Sequence, residues 1–178
     1  QNLSGKELVE WKFQRYINDY LKCIQSVDDN VGRLLTYLEE KNLLDNTLIV
    51  YTSDQGFYLG EHGWYDKRFM YEESFGMPLV MRYPKLIEPG SKNSDLVLNL
   101  DFAPTIMDLA GVKPFDGITG KSLLPIFQSK ASGLVDPSRS YVLTGRERHT
   151  HARPDNLGYP ARAIRTQQYL YIKNYPLY

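Results

Sequence analysis

The sequence has one cysteine, no net charge and no long apolar run, and each shortage excludes a class of protein. Cys23 stands alone among 178 residues, which rules out an internal disulfide framework and any multi-cysteine zinc site. Lys and Arg together number 21, as do Asp and Glu, and no block of like charge stands out. No electrostatic case exists for nucleic acid or an anionic membrane surface as partner, so anion recognition has to be local. No apolar stretch approaches the roughly 20 residues that cross a bilayer, and the amino end, QNLSGKELVEWKFQRY, has no signal-peptide pattern. Internal repeats and low-complexity segments are also missing. Both ends are abrupt, and the expectation is a piece of a longer polypeptide.

What is there reads as alternating helix and strand. Between residues 16 and 42, Tyr16, Tyr20, Ile24, Val27, Val31, Leu34, Leu35 and Leu38 recur every three or four positions, which predicts one face of a long helix stopped at Asn42. Cys23 sits beside that stripe and is expected to be a small buried hydrophobe. Residues 47–51 predict a buried parallel strand, and 77–83 a second strand with Pro78 at its start. Residues 95–100 read as a short strand. Asp101 is the expected N-cap of a helix over 102–110, with Pro104 in its first turn and Gly111 ending it. After a polar stretch at 129–139 come short strands at 141–144, 161–165 and 169–173, the last two joined as a hairpin whose turn lacks Gly or Asn.

The chemistry-bearing residues cluster after the strand at 47–51, where YTSDQGFYLGEHGWYDKRFMYEES begins. In open α/β sheets the carboxyl end of a strand is where ligands bind. Asp54 and Gln55 are adjacent hard oxygen donors, suited to Ca²⁺ or Mg²⁺ but too few to complete either site. Equally, Ser-Asp-x-Gly is a common turn in which Asp54 caps the backbone and Gln55 is a surface amide. His62, between two glycines, is placed to contact an oxyanion or protonate a leaving group, or else simply faces solvent. Lys67 is a candidate point charge for developing negative charge, against the alternative of a solvated Lys-Arg pair. Arg146, Arg148 and His149 lie in a basic segment whose arginines suit carboxylate or sulfate groups, or else form a plain solvated connection between strands. His149 and His151 have no zinc-like frame.

Ser53-Asp54-Gln55-Gly56, Gly60-Glu61-His62-Gly63, the run from Asp66 through Lys67 and Arg68 to Tyr71-Glu72, and Met77-Pro78-Leu79-Val80 resemble, in that order, the carboxyl half of the sulfatase family in the alkaline-phosphatase superfamily. Asp28-Asp29-Asn30-Val31-Gly32 and Asp101-Phe102-Ala103-Pro104-Thr105 extend the likeness, which spans roughly residues 20–127 and looks most like glycan sulfatases such as N-acetylglucosamine-6-sulfatases. The resemblance implies an α/β fold: part of an alkaline-phosphatase-like α/β/α sandwich over residues 1–128, followed at 129–178 by the start of a small antiparallel C-terminal subdomain. It implies a calcium ion (or Mg²⁺) held in part by Asp54 and Gln55, Lys67 on the sulfate ester, and His62 as a less secure second catalytic candidate. Arg146, Arg148 and His149 become substrate-binding candidates for a sulfated carbohydrate, and the compartment becomes secreted, periplasmic or lysosomal.

The nucleophile of such enzymes is a formylglycine made from Cys or Ser in a C/S-x-P-x-R motif, which this sequence lacks. Cys23 is followed by Ile-Gln-Ser-Val, and Pro137-Ser138-Arg139 is preceded by Val135 at the nucleophile position. The expectation is a chain inactive alone, with nucleophile and first-strand aspartates supplied by a missing N-terminal half of the same protein. Two alternatives stay open: a phosphonate or phosphate ester hydrolase of the same superfamily, and a non-catalytic domain binding sulfated glycan.

Overall fold

The computed structural model describes residues 3–148, 155 and 157–175. The chain divides into two compact units, Gln1–Leu48 and Ile49–Tyr178. The division falls at 48/49, and the residues on either side of position 128 lie within one unit.

The first unit is dominated by helix α1, Gly5–Glu40. Pairs at helical spacing line its polar side, with Arg15 Nε 3.1 Å and Lys22 Nζ 3.0 Å from the Asp19 carboxylate, which lowers the Asp19 pKa. The helix stops where the sequence predicts: Asn42 takes φ of 56°, and the Leu43 N–H reaches back to the Leu38 carbonyl at 2.8 Å. Cys23 is exposed rather than buried, because no residue of α1 is buried.

The described residues of the second unit form three small antiparallel sheets. Strands β1 (Ile49–Tyr51) and β4 (Val80–Arg82) pair with Val50 opposite Met81. β1 is therefore not the buried parallel strand expected: its partner among the described residues runs antiparallel, and Val50 and Tyr51 remain 39% and 43% exposed. Strands β2 (Tyr58–Leu59) and β3 (Tyr65–Asp66) form a hairpin, followed by the single-turn helix α2, Glu72–Phe75. Strands β5 (Tyr141–Arg146), β6 (Ala161–Thr166) and β7 (Leu170–Asn174) make the third sheet, in the order β5-β6-β7.

The β6–β7 hairpin forms as expected, and Thr166 supplies what its turn lacks in glycine. Its hydroxyl accepts the N–H groups of Gln168 at 3.4 Å and Tyr169 at 3.0 Å. In this sheet the register sets Val142 opposite Arg165, Thr144 opposite Ala163 and Arg146 opposite Ala161. These six side chains share one face. Ala161 and Ala163, nearly fully buried, leave room for Met70, and Phe75, Leu170 and Ile172 close the cluster.

A second core gathers Leu123, Ile126 and Phe127 around helix α4 (Leu124–Ser129), with Met81, Val97, Phe102 and Leu109 against them. Helix α3 (Phe102–Leu109) carries Pro104 in its first turn and ends before Gly111, whose φ is 69°. Asp101 departs from its expected role. Its side chain makes no cap bond to α3; it accepts instead from Leu98 N at 3.0 Å, Lys121 N at 2.7 Å and Arg139 Nη1 at 2.6 Å. The buried Arg139 guanidinium, 3% exposed, ties Asp101 to the 121–122 segment by also donating to the Lys121 and Ser122 carbonyls.

The expected strand at 95–100 does not form. Asp95 spends its backbone N–H on the Asn93 side chain and its carboxylate on the N–H groups of Val135 and Asp136, and a 3-10 turn follows at Asn99–Asp101. Side chains thus take the place of ladder bonds there.

Candidate active site

The segment after β1 is fixed by close backbone approach. Gly56 N donates to the Ser74 carbonyl at 2.8 Å, and a Cβ on Gly56 would overlap the Glu73 carbonyl of α2. Only glycine fits. The Asp54 carbonyl accepts from Asn99 Nδ2 at 3.3 Å, and Ser53 Oγ donates to the Gln55 carbonyl at 2.8 Å. The Asp54 carboxylate lies 3.4 Å from Ser53 Oγ, whose one proton goes to the Gln55 carbonyl, and accepts no other hydrogen bond among the described residues.

The β2–β3 hairpin positions Lys67. Tyr58, fully buried, anchors it through its hydroxyl to the Phe69 carbonyl at 2.9 Å. Asp66, at φ of 83°, takes Arg68 Nε at 2.7 Å, which neutralises Arg68 locally. Lys67, between them, has no ion pair among the described residues and is exposed.

These elements enclose a pocket of about 530 Å³ in the second unit, lined by Asp54, Gln55, Lys67, Ser74, Arg146 and Arg165 among others. Four of the sequence candidates, Asp54, Gln55, Lys67 and Arg146, therefore meet at one cavity. His62 does not line it. Its ring stacks on Tyr71 at 4.7 Å, its Nε2 lies 3.2 Å from Glu73 Oε1, and its φ is 58°. The neighbouring Glu61 carboxylate accepts Leu59 N at 2.6 Å, and this backbone bond holds it below the ordinary carboxylate range. Arg148 is exposed and is not a lining residue, and His149 lies outside the described residues.

Arg165 and Ser74 line the pocket without having been candidates in the sequence reading. Arg165 faces the cavity because the β5–β6 register puts it beside Val142, and its Nε pairs with Glu72 of α2. Ser74 is 5% exposed. Neither carries a local motif; the alternation of β6 alone was available to place Arg165 on the face of Ala161 and Ala163.

The pocket concentrates unsatisfied polar atoms. Among the described residues, buried side-chain nitrogens or oxygens without a hydrogen-bond partner occur on Ser74, Arg139, Arg146 and Arg165, and all but Arg139 line this cavity. Arg146 leaves both Nε and Nη1 unpartnered while its guanidinium lies 5.6 Å from the Phe69 ring centre and 5.5 Å from that of Tyr159. Desolvation pulls the Arg146 pKa below its ordinary value, with the nearby Arg68 charge acting the same way. Buried donors without acceptors are costly in a protein unless a ligand supplies the acceptors.

For a divalent cation the donors present fit in kind and fall short in number. Asp54 and Gln55 offer adjacent hard oxygens, but Ca²⁺ takes six to eight. No group of three or more His, Cys, Asp or Glu gathers among the described residues. The arrangement can hold an anionic ligand and contribute to, without completing, a cation site.

Comparison with known proteins identifies the family. Residues 60–177 match the family described as N-sulphoglucosamine sulphohydrolase, C-terminal, and residues 3–112 match the family Sulfatase. An N-acetylglucosamine-6-O-sulfatase of Bacteroides thetaiotaomicron is 56% identical over 135 residues, covering 76% of this chain and 24% of that protein. The human N-acetylglucosamine-6-sulfatase is 41% identical over 116 residues, 62% of this chain and 20% of that protein. A solved structure in complex with its substrate, D-glucosamine-2-N,6-O-disulfate, superposes with a TM-score of 0.83 at 48% identity, over 93% of this chain and 33% of that one. A phosphonate monoester hydrolase from Silicibacter pomeroyi, at a TM-score of 0.65 and 24% identity, covers 84% of this chain and 32% of that one and shares the fold. The chain spans about a quarter of the length of the curated relatives and a third of the solved ones. Its α/β architecture, with the small antiparallel sheet at the carboxyl end, is that of the corresponding part of an alkaline-phosphatase-like sulfatase. The chain belongs to the sulfatase family.

Proposed function

We propose that this chain forms the ester-binding part of a sulfuric ester hydrolase acting on sulfated carbohydrates, sulfated glucosamine above all. The observation that carries the reading is the pocket in which unpartnered donors of Arg146, Arg165 and Ser74 meet the unpaired Lys67 and the adjacent oxygens of Asp54 and Gln55. A sulfate ester supplies the acceptor oxygens such a cavity lacks. The similarity to N-acetylglucosamine-6-sulfatases, and to a structure holding a disulfated glucosamine, supports the choice of sugar. An extracellular sulfatase among the relatives supports a compartment outside the cytosol.

In this reading Asp54 and Gln55 would hold a calcium ion through two of their oxygens, and the ion would supply positive charge against the sulfate. Lys67 donates a hydrogen bond to the ester oxygen and stabilises negative charge as the S–O bond breaks and the alcohol leaves. Arg146 contacts the sugar and its charged groups, and Arg148 and His149 remain substrate-binding candidates from the sequence. His62, tied to Glu73 and Tyr71, holds the loop ahead of Lys67 and is the weaker candidate for a proton donor. The nucleophile comes from outside this sequence, which has no C/S-x-P-x-R motif.

The test is hydrolysis of glucosamine 6-O-sulfate by the full-length gene product and its Lys67→Ala variant. A loss of about a hundredfold in kcat is expected for removing one preorganised donor from the developing charge. Unchanged turnover removes Lys67 from the reaction. The second reading, a phosphonate monoesterase, draws on the fold shared with the Silicibacter enzyme. Rates on matched sulfate and phosphonate esters separate the two.

A further inference from the structure

The pocket carries more cationic capacity than one ester uses. Of its cationic lining residues, Arg68 is paired with Asp66 and Arg165 with Glu72. Lys67 and Arg146 have no carboxylate partner among the described residues. They also come from different elements. Lys67 follows β3 on the hairpin side, beside the Asp54 segment, whereas Arg146 ends β5 in the three-stranded sheet. A sulfate monoester bears one negative charge, and Lys67 suffices for it.

We propose that Arg146 forms a second anion subsite, which binds a further oxyanion, a sulfo or carboxylate group, on the same sugar or on the residue next to it. Three features of Arg146 carry this. Its Nε and Nη1 donors are buried and without partners. The rings of Phe69 and Tyr159 flank its guanidinium, so its direction is set before a ligand arrives and little rotamer entropy is lost on binding. Its neighbours on the shared sheet face, Thr144 and Ala161, carry no charge that could replace the missing acceptor. Arg165 stands four residues further along β6 than Ala161, the partner of Arg146. At the rise of an extended strand that is about 13 Å away, too far for Arg165 to duplicate the role and near enough to border the same ligand.

The subsite rests on the carbohydrate reading above for the choice of probes, and binding tests it independently of hydrolysis. Isothermal titration of the full-length gene product compares glucosamine 6-O-sulfate with glucosamine 2-N,6-O-disulfate, and a 6-sulfated sugar joined to a uronic acid tests carboxylate. The doubly charged ligand of either kind is expected to bind at least tenfold tighter. Arg146→Gln is expected to abolish that margin, weakening the doubly charged ligand at least tenfold more than it weakens the monosulfate. An equal margin in both proteins, or an equal loss on both ligands, overturns the assignment. Should Arg146→Gln fail to fold, Arg146→Lys keeps the charge and aliphatic stem without the planar fork, and an undiminished margin in that variant is equally fatal. Hydrolysis of the 6-sulfate with no preference for two charges would sink the subsite and leave the ester-hydrolase reading standing. A preference that depends on Arg146 in a protein that hydrolyses neither ester would do the reverse.

Discussion

Replacing Arg139 with methionine is expected to destabilise the second unit more than any surface change in the chain. The guanidinium is 3% exposed and donates to Asp101 Oδ2 at 2.6 Å, the Lys121 carbonyl at 2.7 Å and the Ser122 carbonyl at 3.1 Å. Without it, the Asp101 carboxylate keeps only the Leu98 and Lys121 N–H groups, and two carbonyls lose their donor. Breaking a buried ion pair from one side costs about 3–5 kcal/mol, mostly from the stranded partner. At ~3 °C per kcal/mol for a unit of this size, the melting temperature should fall by on the order of 10 °C. The same loss reaches the pocket, because the 3-10 turn fixed by Asp101 carries Asn99, whose amide holds the Asp54 carbonyl at 3.3 Å. Urea denaturation of wild type, Arg139→Met, Asp101→Asn and the double variant provides the measurement. The double variant should cost at least ~1 kcal/mol less than the two singles summed, as coupled neighbours do. Strict additivity, or a single-variant cost below ~1 kcal/mol, refutes the hub.

Gly56→Ala drives a methyl group into the Glu73 carbonyl and should destabilise by about 1–3 kcal/mol while lowering turnover through displaced Asp54 and Gln55; a fully active variant contradicts the close approach. His62→Asn should reduce kcat less than tenfold and leave the pH–rate profile in place, since a general acid accounts for roughly 10²–10⁴; a loss matching Lys67→Ala would put the imidazole in the reaction. The Asp136 carboxyl is held below its ordinary value chiefly by the Ser138 hydroxyl and N–H. A depressed folded-state pKa stabilises above the unfolded value and is lost as pH falls through the folded one, so the stability gap between wild type and Asp136→Asn should be full at neutrality and close in acid. Adding Ca²⁺ after chelation should raise the melting temperature of the full-length gene product, and Asp54→Ala should erase that rise.

Much of this was readable in the sequence because it was written locally. The stop of α1 at Asn42, the start of α3 with Pro104, and the Ser53-Asp54-Gln55-Gly56 turn each depend on residues within one or two turns of each other. The hairpin at 166–169 was legible as alternation, although its turn works through the Thr166 hydroxyl rather than a glycine. What escaped depends on partners distant in sequence. Asp101 resembles a helix cap until Arg139, 38 positions later, claims its carboxylate. Asp95 lies in an apolar run that suggests a strand, yet residues 40 and 41 positions away satisfy it. Arg165 is an ordinary strand residue until the register with β5 turns it toward the cavity. The burial expected for Cys23 failed because a stripe of apolar residues signals a face to be covered without saying what covers it.

The β1–β4 pair has a practical consequence for anyone producing this polypeptide by itself. Val50, Tyr51 and Val80 are 39%, 43% and 62% exposed on a sheet of two strands, fewer than usually persist unaided in water. Its free backbone edges and oily surface are an invitation to recruit strands from other molecules. Light scattering that grows with concentration would be the laboratory signature.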